Sequence, residues 1–160
     1  MPIDPTAFRT ILGHYATGVA VVTTREPGDG GPRGLTVNAF ASVSLDPPLV
    51  LVCVDLGSET HDPIGANGRF AVNVLAEGGA ALADRFAGRG GTEKFEGVSW
   101  REEATGSPVL DEALAWVDCT LWARYPGGDH TIFVGEVVAG GVREGEPLLY
   151  YRGGYGRFTS

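Results

Sequence analysis

The stretch Gly34–Val54, GLTVNAFASVSLDPPLVLVCV, is the part of the chain around which the other predicted elements are arranged. It begins with an alternating run at Leu35–Val37, breaks into small and polar residues at Asn38–Ser42, and ends in an apolar run at Leu49–Val54. The last run is short, rich in β-branched residues and preceded by a proline pair, so it predicts a buried strand rather than a helix. Buried polar groups are costly without partners. The polar middle therefore either satisfies a bend in the backbone or faces a polar ligand.

The composition is that of one globular domain. The chain has 160 residues, of which 43% are hydrophobic and 20% are charged, and this is long enough for a full core without disulfides or metals. Its formal net charge of −8, with no basic block, argues against nucleic acid or an anionic membrane as partner. No apolar run approaches the ~20 residues that span a bilayer, and the N-terminus is not that of a secretory signal.

Both cysteines of the chain, Cys53 and Cys119, lie inside apolar runs. Buried reduced thiols are typical of cytoplasmic proteins, so a cytoplasmic location is predicted. The 25 glycines predict many short elements separated by turns, and they argue against long helices.

Short helices are predicted at three places. The first begins at Asp4-Pro5 and ends near Gly18, with four apolar residues on one face: Phe8, Ile11, Leu12 and Tyr15. Ser58 or Thr60 would cap a second helix that ends near Asn67-Gly68, and a third covers Gly79–Phe86.

The remaining elements are short strands and turns. Besides those of the central stretch, extended segments are predicted at Val19–Thr24, Arg69–Leu75, Val98–Glu103, Pro108–Leu110, Leu114–Tyr125, His130–Val138 and Pro147–Tyr151. Pro126–Asp129 is a strong hairpin turn, and Gly140–Glu146 is a further turn. Without regular βαβ alternation, this order favours a mainly β, antiparallel barrel with a few short peripheral helices.

Residue patterns for familiar catalytic sites are missing. The three histidines have no metal-ligand spacing, and the chain lacks HExxH, CxxC, GxSxG and GxGxxG motifs. The turn at Ser58–Thr60 suits a phosphate at a helix N-terminus, or is a plain helix cap. His130, after Gly127–Asp129, either hydrogen-bonds a ligand or only its own turn. The loop Arg89–Gly97 is either a lid or, as its composition favours, an ordinary exposed loop.

Seven segments in chain order resemble the flavin reductase family, the small NAD(P)H:flavin oxidoreductases of two-component monooxygenase systems. They are TGVAVVTT at Thr17–Thr24, the stretch Gly34–Val54, GSETHDPI at Gly57–Ile64, RFAVNVL at Arg69–Leu75, KFEGVSW at Lys94–Trp100, GDHTIFVGEV at Gly128–Val137, and PLLYYRGGYGRF at Pro147–Phe158. The resemblance covers nearly the whole chain, and its most specific parts are NAFASVSLDPPLV and GDH.

This resemblance implies an FMN-binding split β-barrel of antiparallel, Greek-key type that works as a homodimer. It implies an enzyme in which NADH or NADPH passes hydride to FMN or FAD, and in which the reduced flavin serves a separate monooxygenase. Hydride transfer between two bound rings depends on alignment more than on an acid–base dyad, because the cofactors carry the chemistry. The lack of a catalytic motif is therefore expected.

The resemblance also assigns roles to single residues around the flavin. The wall of the flavin ring and ribityl chain would be formed by Thr36, Val37, Asn38, Ala39 and Phe40, continued by Ala41, Ser42 and Val43. Cys53 would lie close to the flavin, and Ser58 and Thr60 would form the phosphate-binding turn. His130 would lie by the nicotinamide and flavin, with Tyr155 near the same site and Phe95 covering it from the loop.

One position departs from the family pattern. Many relatives have an arginine or lysine just before the phosphate turn, where this chain has Leu56-Gly57. The change removes a charge partner of the flavin phosphate. It fits a protein that treats flavin as a substrate, and it leaves open whether flavin is tightly bound or diffuses.

Two other functions are compatible with a related barrel. A non-catalytic flavin-binding protein, a sensor or a storage module, would need no nicotinamide platform, whereas the GDH histidine and the GGYG tail favour a reductase. An oxidase of the pyridoxamine phosphate type would need a basic cluster for a second phosphate, which the sequence lacks.

Overall fold

The computed structural model describes all residues, 1–160, as a mainly β protein. Its helices are α1 (Pro5–Leu12), α2 (His61–Asn67) and α3 (Ala80–Ala87), with a 3₁₀ turn at Thr92–Phe95. Its strands are β1 (Thr17–Gly18), β2 (Ala20–Arg25), β3 (Pro32–Val37), β4 (Phe40–Leu45), β5 (Pro48–Asp55), β6 (Arg69–Leu75), β7 (Trp100–Glu102), β8 (Pro108–Leu110), β9 (Ala113–Gly127), β10 (His130–Val142), β11 (Leu148–Tyr151) and β12 (Gly154–Arg157). No helix is long and apolar enough to cross a membrane.

Seven antiparallel strands form the main sheet, in the order β3-β2-β6-β9-β10-β5-β4. Laid flat, its two edge strands would lie about 29 Å apart, from six spacings of about 4.8 Å. Only Asn38-Ala39 joins these edges in the chain, and three Cα steps reach at most about 11 Å. The sheet must therefore curl until the end of β3 lies next to the start of β4, at the seam Asn38-Ala39, while these two edge strands stay unpaired with each other. The Cys53 amide of β5 donates to the Ala39 carbonyl of this seam at 3.1 Å. The predicted split β-barrel with a few peripheral helices is confirmed.

The side chains of β2 alternate between two hydrophobic cores. Ala20 and Val22 point into the barrel with Phe70 and Phe133. On the other side of the strand, Val21 packs in a second core against α3, the 3₁₀ turn and β8. Both faces of β2 are thus buried, which explains why apolar residues follow one another at Ala20–Val22 instead of alternating with polar ones.

The first helix ends earlier than predicted. Asp4 caps it as expected, accepting from the Thr6 and Ala7 amides at 3.0 and 3.1 Å. The helix stops at Leu12, with Gly13 as its cap, so the predicted end at Gly18 is wrong, and Thr17–Gly18 instead pairs with β11 as a strand. Its apolar face remains exposed in the single chain.

The polar middle of the central stretch is mostly strand. β4 begins at Phe40, so the bend predicted for Asn38–Ser42 is confined to Asn38-Ala39, and Val43 forms a bulge opposite β5. β4 is an edge strand of the sheet, and its small and polar residues Ala41, Ser42 and Ser44 suit a strand with an exposed face. The sequence reading of these residues as a long bend is therefore wrong.

The C-terminal tail contains a strand that was not predicted. Gly154–Arg157 pairs with β11 through a two-residue turn in which Arg152 and Gly153 have φ values of 50° and 79°. Two consecutive positive φ angles suit the right-handed twist of a hairpin, and glycine tolerates them well. The sequence signal that could have predicted this turn is Arg152-Gly153-Gly154. The predicted hairpin at Pro126–Asp129 is confirmed, with its tip at Gly128-Asp129 between β9 and β10.

One buried amide links three strands. The Asn73 side chain on β6 donates to the Val21 carbonyl at 3.0 Å and to the Thr23 hydroxyl at 3.2 Å, both on β2. Its oxygen accepts from the Leu110 amide of β8 at 2.9 Å. Every polar atom of this fully buried side chain thus has a partner.

We expect Asn73→Ala to lower the free energy of unfolding by about 2–3 kcal/mol, because it leaves buried backbone groups unpaired. Urea denaturation followed by circular dichroism measures this. Asn67→Ala is the matched control, since the Asn67 amide nitrogen makes no hydrogen bond. Equal losses in the two variants would show that the Asn73 hydrogen bonds contribute nothing specific.

Candidate functional site

Three adjoining cavities form a trough along β3 and the Asn38-Ala39 seam. We call them the first, middle and far cavities, with volumes of about 290, 210 and 380 Å³. The first and middle cavities share Val19, Val37 and Asn38, and the middle and far cavities share Thr36 and Ala87. Because β3 is an edge strand, one side of it is open to a ligand.

The first cavity is mainly apolar. Its lining residues are Tyr15, Ala16, Thr17, Gly18, Val19, Ala20, Val37, Asn38, Phe40 and Val74. The buried hydroxyl oxygen of Thr17 has no hydrogen-bond partner within the chain. A flat, largely apolar ring with a few polar edges is the kind of group that such walls accommodate.

The middle cavity has an aromatic wall. The rings of Tyr150 and Tyr155 lie 5.8 Å apart, and the Tyr155 hydroxyl donates to an Asp84 carboxylate oxygen at 2.7 Å. Burial, and then the hydrogen bond and negative charge of Asp84, raise the pKa of the Tyr155 phenol to about 12. Tyr155 therefore stays protonated at neutral pH, and the bond to α3 holds its ring at the cavity, opposite Val37 and Asn38.

The far cavity is polar and carries charges of both signs. Its lining includes the acidic residues Asp55 and Glu59 and the basic residues Arg89 and Lys94, together with Ser58 of the turn before α2. Thr36 borders this cavity, but its hydroxyl already donates to the Ala83 carbonyl at 2.6 Å. The trough thus runs from apolar walls at one end to a charged pocket at the other.

The turn before α2 satisfies most of its own donors. The Gly57 amide donates to the Asp55 carboxylate at 2.7 Å and the Thr60 amide to the Ser58 hydroxyl oxygen at 3.2 Å. The Ser58 and His61 amides donate to backbone carbonyls of the same turn. Thr60 occupies the N-cap position without a side-chain cap bond, is 1% exposed and does not line the far cavity. Ser58 therefore lines the far cavity and the Thr60 side chain does not, and a role of this turn in phosphate binding stays a prediction.

Several predicted residues lie outside the trough of a single chain. Ala41, Ser42 and Val43 on β4, and Cys53 on β5, line none of its three cavities. Ala39 is held at the seam through its backbone carbonyl. Burial raises the pKa of the Cys53 thiol, which keeps it neutral. The flavin roles of these residues stay predictions.

His130 also lies away from the trough. It pairs with Asp55 at the end of β5, and its Nδ1 lies 2.7 Å from an Asp129 carboxylate oxygen. This hydrogen bond lowers the pKa of the Asp129 carboxyl. Tyr155 lines the middle cavity whereas His130 lines none of the three, so one chain does not bring these two residues together.

The loop after α3 carries two buried side chains, Lys94 and Phe95. Phe95 is 6% exposed and packs edge-on against Phe86, at 4.9 Å between ring centroids, so in the single chain it belongs to the second core, and its role at the site stays a prediction. Lys94 is buried as well, so the segment is not an ordinary exposed loop. Sequence reasoning missed Lys94, Arg89, Tyr15 and Tyr150 as wall residues, although Lys94-Phe95 stood out as a lysine–aromatic pair among glycines.

Comparison with known proteins gives one consistent result. The family model described as flavin reductase like domain matches residues 12–159. The reductase subunit of a flavin-dependent monooxygenase from Rhodococcus jostii is 45% identical over 96% of this chain and 77% of the relative. An NADH-dependent FAD reductase from Streptomyces globisporus is 41% identical over 99% of this chain and 88% of the relative.

Solved structures agree in fold. Nitrilotriacetate monooxygenase component B from Mycobacterium thermoresistibile superposes with a TM-score of 0.91 at 41% identity, over 98% of this chain and 87% of that one. The NADH:FAD oxidoreductase of Streptomyces globisporus in complex with NAD and FAD fragments has a TM-score of 0.91 at 38% identity, over 99% and 97% of the two chains. The chain described here therefore belongs to the flavin reductase-like domain family.

Proposed function

We propose that this protein is an NAD(P)H-dependent flavin reductase that transfers hydride from NADH or NADPH to FMN or FAD and supplies reduced flavin to a separate monooxygenase. The observation that carries this proposal is the continuous trough along β3, which joins an apolar, tyrosine-walled section to a charged pocket. A flavin nucleotide has the same order of parts, a flat ring, a polyhydroxyl chain and a phosphate. The relatives that act on flavins with NADH match nearly the whole chain.

The residues of the trough fit a flavin part by part. Val37, Asn38 and Tyr155 would hold the ring, because they border the middle cavity. The backbone at Thr36 would run beside the ribityl chain, and Ser58 would face the phosphate in the far cavity. When bound, flavin and nicotinamide supply the redox chemistry themselves. The residues of this chain bind the two ligands, align them and exclude water.

A second copy of the chain would cover an apolar outer face of the sheet. Leu51 and Cys53 on β5, and Ile132 on β10, alternate with the barrel-core residues and so face outward from the sheet. Tyr125, paired with Ile132, is 54% exposed. An apolar sheet face of this kind is typical of a homodimer interface, and we propose that it forms one here.

This interface gives the residues outside the trough a role. His130 lies two positions from Ile132 on β10 and therefore projects from the same outer face. Cys53 lies on that face as well. We propose that both approach bound ligands only in the dimer. A cytoplasmic location stays a prediction, in keeping with the free thiols of Cys53 and Cys119.

Flavin reduction is tested directly by anaerobic mixing. Purified protein with NADH or NADPH should bleach the 450-nm absorbance of added FMN or FAD in at least one of the four combinations. Boiled protein is the control. Flavin binding without bleaching in any combination would contradict the reductase and favour the flavin-binding sensor or storage protein.

His130→Ala should reduce turnover, or raise the KM for the nicotinamide, by about tenfold, the cost of one lost hydrogen bond to a bound ligand. His14→Ala is the matched control, since His14 bonds only the Thr10 carbonyl at the end of α1. Thermal melts check that both variants fold. Unchanged kinetics in His130→Ala would show that His130 contacts no ligand and only hydrogen-bonds its own hairpin turn.

Ile132→Lys should convert the dimer into a species with the 16.8 kDa mass of one chain, because it places a charge in the apolar sheet face. Light scattering after size exclusion measures the mass. Val142→Lys is the control, since Val142 is an 82% exposed apolar residue at the far end of the same strand. A dimer that survives Ile132→Lys would place the interface elsewhere.

A further inference from the structure

Helix α3 is bonded to both walls of the middle cavity through two consecutive residues. On one side, the Thr36 hydroxyl of β3 donates to the Ala83 carbonyl at 2.6 Å. On the other side, the Tyr155 hydroxyl of β12 donates to the Asp84 carboxylate at 2.7 Å. Thr36 and Tyr155 both line the middle cavity, whereas Asp84 lines none of the three cavities of the trough. α3 therefore fixes the distance between the β3 wall and the tyrosine wall.

The strand that carries Tyr155 has few other attachments. β12 pairs only with β11, and the β11–β12 hairpin joins the two-residue strand β1 instead of the main sheet. Two side-chain bonds attach β12 to the rest of the chain, that of Tyr155 to Asp84 and the ion pair of Arg157 with Glu77 at 2.7 Å. A segment held by few contacts opens locally at low cost. The position of the Tyr155 ring therefore depends on its bond to α3.

The hydroxyl of Tyr155 is used by this bond, so its ring is what the residue offers to a ligand. Burial, together with the Asp84 carboxylate, raises the pKa of the Tyr155 phenol to about 12, and the hydroxyl thus remains a donor at neutral pH. The Tyr155 ring lies 5.8 Å from the Tyr150 ring, and both border the middle cavity opposite Val37. Aromatic walls of this kind accept a flat ring by stacking or by edge contacts.

The carboxylate of Asp84 has no function within α3 itself. Asp84 is exposed, takes part in no ion pair and makes no side-chain hydrogen bond except the one with Tyr155. It lies in the second half of the helix, where a negative charge is unfavourable to the helix dipole and where alanine has the higher helix propensity. The bond to Tyr155 is therefore the one contribution that this side chain makes to the structure.

We propose that Asp84 is a positioning residue for the flavin ring, which it serves by holding the Tyr155 ring at the middle cavity. This inference rests on the proposed function, which places the flavin ring in that cavity. Asp84 does not line the far cavity, where the phosphate would lie, so its effect concerns the ring alone. FMN, FAD and riboflavin share this ring, and their binding therefore depends on Asp84 to the same extent.

Flavin binding to variants of the Asp84–Tyr155 pair tests the assignment, with the Kd measured from quenching of flavin fluorescence. Asp84→Ala should raise the Kd of FMN and of riboflavin by the same factor, about fivefold, the cost of one lost hydrogen bond. Asp84→Asn should stay within about twofold of the wild type, because its amide oxygen still accepts from the Tyr155 hydroxyl. Tyr155→Phe should match Asp84→Ala, and the double variant should lose no more than either single variant, because both changes remove the same bond.

Glu77→Ala is the matched control. It breaks the other side-chain bond of β12, and Glu77 lines none of the cavities described here. We expect its Kd for both flavins to stay within about twofold of the wild type. Thermal melts check that all variants fold.

The possible outcomes separate this inference from the function on which it rests. Wild-type protein that binds no flavin would overturn both. Flavin binding by the wild type, with an unchanged Kd in Asp84→Ala, would overturn the role of Asp84 alone. Equal losses in Asp84→Ala and Glu77→Ala would replace it by a general effect of hairpin docking. Additive losses in the double variant, a loss confined to FMN, or an Asp84→Asn variant as weak as Asp84→Ala would each also overturn it.

Discussion

The two-residue link between the edge strands of the sheet is the constraint on which the rest of the structure depends. A flat seven-stranded sheet is more than twice as wide as Asn38-Ala39 can span, so its curling follows from chain geometry. The seam leaves the outer side of β3 open, with α3 and the β11–β12 hairpin beside it. The ligand trough lies along this opening, and Asn38 of the same link lines its first and middle cavities.

Buried polar groups occur in this protein in two different states. Asn73 has a partner for each polar atom and ties β6 to β2 and β8. Lys94 has two long bonds, no counter-ion and a cavity in front of it. A satisfied group of the first kind specifies a fold, whereas an incompletely satisfied one of the second kind is costly unless a ligand completes it.

Local patterns predicted much of the fold and part of the site. The apolar run at Leu49–Val54, the turn at Gly128-Asp129 and the Asp4 cap depend on neighbouring residues, and the structure has them as predicted. Thr36, Val37, Asn38 and Phe40 all line the trough, as the resemblance implied. The side chains of Thr60 and Phe95 are buried in the single chain, and the direction in which a side chain points depends on residues distant in sequence.

The sequence by itself determined the class of the protein and most of its strands, because periodicity, turn chemistry and family motifs are local. It did not predict β12 or the extension of β10 to Val142, which lies inside the predicted turn Gly140–Glu146. Only the tertiary structure decided which side chains share a cavity. It brought Lys94 to within hydrogen-bonding distance of Gly34, a contact across 60 residues of chain, and it separated His130 from Tyr155. Such pairings follow from strand order and from the burial of two cores, and neither is expressed in the spacing of residues along the chain.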